Sequence, residues 1–477
     1  MMLDPDPGRK DNMRSSALLL EMLVACVILL PAKVVAEDPQ RTEKPTGTMT
    51  KWQISQSFNA KDIDLQSAEY PRFYAIFYAG WETISAEASG LVDIPRFRKT
   101  SGQGPDCILA RTICRSDRKQ KIQLSLGCRE EAAVFLNGKR VFYGASAPAA
   151  STSNQQDSSL PGVVGLKDVV SLDLERGLNE IFLMVKGRYG SWAFICKADR
   201  ELEPPFKDHR RLTKVWETPQ IFLTPESVQY DAKRDVLYVT NFDSKYKGDA
   251  KEEEFTGYIS KVKLNGEITD QRWVSGLHAP CGMGIYKDRL YTLERRNLTE
   301  IDIDSGKILK RYPVTGSTFL NDIAIYSDGS IYISDTSPPG VDTSRIYRFK
   351  DGKIEVWIET DRISRPNGLL INGDNLVVGS TGDGCIKAIN LKNKKITTVT
   401  CLGAGVLDGI KIDNKGNYLV SHWEGQLYSI PPSGEITELM DAVGQFNTAD
   451  FAYVKDKHLL IIPTFVDNRV VAYRLAE

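Results

Sequence analysis

The stretch FLNDIAIYSDGSIYISDT, residues 319–336, decides the fold. A polar pair, Asn321-Asp322, opens the apolar run Ile323-Ala324-Ile325; Ser327-Asp328-Gly329 turns the chain, and Ile331-Tyr332-Ile333 runs back. Short β-prone runs separated by Asp, Ser and Gly are the pattern of two antiparallel strands. The phrase recurs along the C-terminal part, and a repeat of this length outranks any local reading. Its other copies begin at Glu226-Ser227-Val228, Cys281-Gly282-Met283, Asn367-Gly368-Leu369, Asp408-Gly409-Ile410 and Ala449-Asp450-Phe451. A third and a fourth β run follow, as at 345–349 and 354–358. Four strands in each ~40–50 residues make a propeller blade. Six copies predict an all-β chain whose residues 212–477 form a six-bladed β-propeller. Residues 212–216 precede the first copy without a blade of their own. They are expected to supply the outer strand of the last blade, which removes an open sheet edge.

Equivalent residues of a propeller stand at one height around one axis. The first position of each copy reads Glu226, Cys281, Asn321, Asn367, Asp408 and Ala449. Two carboxylates and two carboxamides converging on a narrow channel would be desolvated and would repel unless a cation neutralised them. Oxygen donors without His or thiolate partners suit calcium, with magnesium, manganese and zinc as alternatives. The competing reading is that Asn and Asp merely cap turns ahead of strands. Cys281 has no neighbouring base in sequence and reads as a small buried hydrophobe; His278 reads as a surface-loop residue.

Upstream, residues 50–200 read as short strands. Residues 122–126 alternate, 133–136 are apolar, and Asn137-Gly138 is a hairpin turn with 141–143 returning. Residues 169–174 and 181–185 make a second pair, ending at Trp192-Ala193-Phe194. This pattern predicts a β-sandwich. Glu203-Pro204-Pro205 marks a linker, 201–211, and the two parts are expected to be separable domains. Trp52, Trp81 and Trp192 could stack on sugars or lie in the core.

The N-terminus predicts export. Arg9, Lys10 and Arg14 precede an apolar run over 17–31, and Val34-Val35-Ala36 ends on a small residue, so residues 1–36 read as a signal peptide. Met13 is an alternative start, and an uncleaved anchor an alternative fate, although the run is short of the ~20 residues a span needs. No membrane span is expected in the mature chain, which would be periplasmic or secreted. Of the cysteines left after cleavage, Cys107, Cys114, Cys128 and Cys196 could pair in an oxidising compartment, in connectivities the sequence leaves open. With 61 basic against 62 acidic residues and no basic block, nucleic acid is not expected as a partner.

Two resemblances follow. The pieces VFLNGKRVFYG, LERGLNEIFLMVKG and SWAF resemble galactose-binding-like jelly-roll domains, which implies carbohydrate as a partner of the N-terminal part. Residues 216–477 resemble the gluconolactonase, regucalcin and luciferin-regenerating enzyme family. The matching pieces are LTPESVQYD, FLNDIAIYSDGSIYISDT, RPNGLLINGDNLVVGST and LDGIKIDNKGNYLVSHWEGQLYSI. That resemblance implies Glu226, Asn367 and Asp408 as ligands of a divalent metal. It also implies Asp408 as acid/base and Asn321 as the residue that orients substrate. An arginine that many sugar-lactone hydrolases carry two residues before the substrate Asn is Phe319 here, which points to a less polar substrate. The function implied is metal-dependent, calcium-type hydrolysis of a small-molecule lactone or related ester; the alternative is a non-catalytic binding propeller.

Overall fold

The computed structural model describes residues 46–60, 64–67, 81–99, 106–145, 165–187, 192–206, 212–243, 256–336, 344–403, 405–443 and 445–476. The export segment and residues 146–164 lie outside them. Among the described residues the regular elements are β-strands and single turns of 3-10 helix.

From residue 212 the chain forms six four-stranded antiparallel blades, five of them separate sheets and blade 4 continuous with a larger sheet. The innermost strands of blades 1 to 6 are Pro225–Asp231, Met283–Tyr286, Leu320–Ile325, Pro366–Asn372, Leu407–Ile412 and Ala452–Val454. In blades 1 to 5 each is followed outward by its second, third and fourth strand, so chain order is radial order there, and blade 6 takes its second and third strands the same way. Thr213–Glu217 pairs antiparallel with Val470–Arg474 and is the outermost strand of blade 6. The ring is therefore fastened by joining the two ends of the propeller segment. On the axis the same seam is held by an Asp450 N–H to Glu226 O bond of 3.0 Å and a Val228 N–H to Asp450 O bond of 3.0 Å. Apolar residues fill the space between neighbouring blades: Val228, Val239 and Ile461 form one cluster, and Leu369, Val378 and Tyr332 another.

The N-terminal part is a two-layer sandwich. One sheet is built on Asp106–Ser116 and Gly177–Gly187, paired over eleven residues, with Glu131–Leu136, Lys139–Ala145, Lys51–Ile54 and Glu82–Ser85 beside them. The other orders Leu91–Asp93, Ala193–Ala198, Gln120–Cys128 and Asp168–Leu174. Asn137 (φ 50°) and Gly138 (φ 86°) are both left-handed, as the two-residue hairpin turn requires. Trp52 and Trp192 are core residues, Trp52 set edge-on to Phe194 with centroids 5.1 Å apart. Trp81 is partly buried, beneath the Arg111 guanidinium at 4.7 Å.

Residues Lys44–Glu477 form one compact unit. Gly177 and Leu178 pair in parallel with Cys401 and Leu402, so the sandwich sheet runs on into the outer strand of blade 4. Leu178, Ile113 and Phe206 pack into the core shared by blades 4 and 5, where Phe206 stacks on Tyr428 at 5.9 Å. Beside this joint, facing residues of blade 4's third and fourth strands, Cys385 and Cys401, form a disulfide. The pairing open to Cys107, Cys114, Cys128 and Cys196 does not occur: all four are buried cysteines outside any disulfide. Cys107 and Cys114 reach about 12 because burial disfavours the thiolate.

Candidate functional site

Glu226, Asn321, Asn367 and Asp408 are each the second residue of an innermost strand. Each sits at the same irregularity. Between Pro225 and Val228 two residues of the inner strand face only Thr240. The same two-against-one step recurs between Leu320 and Ile323, Pro366 and Leu369, and Leu407 and Ile410. A bulge of this kind bends the strand and re-aims a side chain, here in the four blades that carry a polar ring residue. The bulged N–H groups are not lost: Ser227 N donates to Thr240 Oγ1 at 2.9 Å, Asp322 N to Ser334 Oγ at 2.9 Å and Gly409 N to Ser421 Oγ at 2.8 Å.

The loops entering the ring are clamped in a matching way. Leu223 N donates to Asn241 Oδ1 (3.0 Å), His278 N to Glu294 Oε2 (2.8 Å), Phe319 N to Asp335 Oδ1 (2.8 Å) and Ser364 N to Ser380 Oγ (3.0 Å). In blade 5 Val406 N donates to Glu424 Oε2 at 3.2 Å, and that carboxylate also meets His422 Nδ1 at 2.7 Å. Thr224, Ala279 and Arg365, each two residues ahead of its ring position, hold φ of 46°, 48° and 49°. Left-handed backbone at non-glycine residues, one of them β-branched, costs on the order of 1–3 kcal/mol and gathers at sites the surrounding fold over-determines.

The ring is dry and electrostatically unbalanced. Glu226, Asn321, Asn367 and Asp408 are all buried. Burial, then the carboxyls of Asp408, Asp450 and Asp322, push Glu226 well above the ordinary carboxyl range. Burial, Asp450 and Asp322 push Asp408 the same way, against a hydrogen bond from Asn367 and the charge of Lys411. Burial and Asp450 raise Asp322 to about 8. Beneath the ring, Asp450 takes Lys411 Nζ at 2.6 Å and Ser227 Oγ at 2.7 Å, linking blades 5, 6 and 1. The Cys281 thiol is raised by burial and by Glu226, Asp408 and Asp322, so it stands in the ring as a neutral group rather than a nucleophile.

Two buried oxygens in the ring lack a donor: Glu226 Oε2 and Asn367 Oδ1. Asn367 spends its amide on Asp408, which leaves its carbonyl oxygen bare. Buried acceptors without partners are uncommon and costly. Bare oxygens beside mutually repelling carboxylates are the donor set a hard divalent cation satisfies. Among the described residues no three His, Cys, Asp or Glu side chains gather as a metal-binding group; the ring combines two carboxylates with two carboxamides instead. Reading the sequence located the four polar positions. It missed the support layer of Asp450, Lys411 and Ser227, which meet across blades, and, apart from Phe319, the aromatic residues at the mouth.

Fold and ring define an axial-site β-propeller. A family profile described as the SMP-30/gluconolactonase/LRE-like region matches residues 224–462, and the chain belongs to that family. Similar solved structures include a gluconolactonase from Xanthomonas campestris (17% identity, 57% of this chain and 99% of that one, TM-score 0.40). Others are the calcium-binding protein regucalcin from Agrobacterium tumefaciens (14%, 53% and 90%, 0.41) and a luciferin-regenerating enzyme (14%, 55% and 95%, 0.43). At such identities no residue role carries across. No curated protein sequence matches the chain.

Proposed function

We propose that the chain is a metal-dependent hydrolase of lactones or related esters, with the cation at the propeller axis. The observation that supports this most is the pair of donor-less buried oxygens, Glu226 Oε2 and Asn367 Oδ1, beside the raised carboxyl of Asp408. Glu226, Asn367 and Asp408 would hold the ion. Calcium suits the all-oxygen set best, with magnesium, manganese or zinc as substitutes. When bound, it would polarise a substrate carbonyl and stabilise negative charge on its oxygen. The chain's own groups would do the rest. Asp408 would accept a proton from the attacking water and return it to the leaving oxygen. Asn321, at the same height in blade 3, would orient the substrate, and the buried ring would exclude bulk water.

The test is hydrolysis of a panel of lactones and esters with calcium and with chelator. Activity should require the cation, and Asp408→Asn should lower turnover by roughly 10²–10⁴-fold, as loss of a general base does. No turnover of any lactone or ester with calcium supplied would leave the binding-propeller reading in its place.

We further propose that the mature chain starts near Glu37 and leaves the cytoplasm. The basic, apolar and small-residue succession before Glu37 supports this, as does a disulfide, a bond oxidising compartments favour. N-terminal sequencing decides it: an intact Met1 or Met13 on cytosolic protein would overturn the proposal.

A further inference from the structure

The mouth of the ring carries an arc of aromatic side chains. Phe319 stands two residues ahead of Asn321 in blade 3. Phe242 follows Asn241, the residue paired with Pro225 beside Glu226. Trp423 follows His422, the residue paired with Leu407 beside Asp408. Phe465 lies two residues past Pro463, whose carbonyl takes the Ala449 N–H at the ring level of blade 6. Backbone bonds fix two of these at one height: Phe242 N to Thr224 O at 3.1 Å and Trp423 N to Val406 O at 2.8 Å. All four therefore sit at the end of the channel where the inner strands begin.

They also touch one another. Phe319 meets Phe242 edge-on at 6.2 Å, Phe242 meets Phe465 at 5.9 Å, and Phe465 meets Trp423 edge-on at 5.6 Å. The chain of rings runs from blade 3 past blade 2 to blades 1, 6 and 5. Phe242, Phe319 and Phe465 are half-buried, and Trp423 is buried. Aromatic faces offer large apolar contact and, apart from the indole N–H, no donor or acceptor. This wall is the apolar surface on which a substrate whose reacting carbonyl enters the ring can lay the rest of its body. A polyhydroxylated body would there exchange water for carbon, whereas an aryl or alkyl body would gain contact.

We propose that Phe242, Phe319, Trp423 and Phe465 are the specificity-determining wall of the site, selecting lactones or esters that carry an aryl or alkyl body over polyhydroxylated sugar lactones. This rests on the hydrolase reading above. The full chain with calcium is assayed on dihydrocoumarin, δ-decalactone, δ-valerolactone and glucono-1,5-lactone. The aryl and alkyl lactones should exceed the other two in kcat/KM by about tenfold or more, the discrimination a hydrophobic contact supplies. Phe465→Ala and Phe242→Ala should cut that preference about tenfold through KM rather than kcat, while Phe465→Leu keeps most of it.

A binding readout separates this inference from the hydrolase itself. 3,4-Dihydro-2-quinolinone, the unreactive lactam of dihydrocoumarin, should quench tryptophan fluorescence, and Trp423→Phe should abolish the quench. Quenching without turnover of any lactone would sink the hydrolase and support the wall. Turnover with glucono-1,5-lactone preferred, or an unaltered preference in correctly folded Phe465→Ala and Phe242→Ala, would overturn the wall and leave the hydrolase standing. Neither turnover nor quenching would overturn both.

Discussion

At the scale of the residue, Glu226 and Asp408 are under tension that the folded chain does not relieve by itself. Their carboxyls are raised by burial and by neighbouring carboxyls, and the cation that opposes this, Lys411, is already engaged by Asp450. Calcium should therefore raise the melting temperature of the parent, because the ring that binds it exists only in the folded state. Glu226→Gln combined with Asp408→Asn should lose most of that rise and, in chelator, should match or exceed the parent. Equal responses of both proteins to chelator would remove the cation from the site. The same carboxyls set a pH dependence for the chelated protein. With folded values raised, Asp322 to about 8, the folded state keeps protons that the unfolded chain releases. Stability should then fall as pH rises from about 5 to about 8, the reverse of a salt-bridged carboxylate. Thermal melts in chelator across that window check the sign. The polar ring was legible in the sequence because repetition placed Glu226, Asn321, Asn367 and Asp408 in register. Asp450 was not, because its role depends on Lys411 and Ser227 arriving from other blades, and pairing across blades leaves no mark along the chain.

At the scale of the element, the bulge is the device that turns an ordinary inner strand into a site. In blades 1, 3 and 5 a hydroxyl from the second strand supports it: in blade 5 Ser421 Oγ accepts the Gly409 N–H at 2.8 Å and donates to Ala449 O at 3.0 Å. Ser421→Ala should lower stability by about 1–3 kcal/mol, the cost of a buried donor left without a partner. It should also weaken calcium binding, since the neighbouring Asp408 loses its fixed direction. Urea unfolding and calcium titration measure the two effects, and an unchanged calcium affinity would confine the hydroxyl to a structural role. Most elements could be read directly. The Asn137-Gly138 turn, the alternating runs and the closing strand near residues 212–216 appear where pattern and turn chemistry put them. The eleven-residue strand Asp106–Ser116 was passed over, because CILARTICRS interrupts its apolar positions with Arg111, Thr112 and Arg115. Those side chains are engaged: Arg111 bonds Gln53 at 2.8 Å and faces Glu180, and Arg115 faces Glu435 of blade 5. Partners that distant in sequence are invisible to periodicity.

At the scale of the whole molecule, the sandwich and the propeller are joined at blades 4 and 5, and the only disulfide among the described residues lies there. The crosslink closes a loop of 16 residues, for which chain entropy gives about 3 kcal/mol. Cys401→Ser should lose about that much in an oxidising buffer, and reductant should bring the parent down to the same level. A denaturation curve unaffected by both would mean that the strands hold without it. Sequence alone placed both architectures but not the joint, since two residues of parallel pairing, Gly177–Leu178 with Cys401–Leu402, carry no recognisable signature. The closing strand has a mechanical meaning. Thr213 lies opposite Arg474, so a pull between residue 212 and the C-terminus would load the clasp in peeling, one pair after another. Tension arriving from the N-terminal side meets the joint at blades 4 and 5 first, where Gly177, Leu178 and Phe206 are fastened.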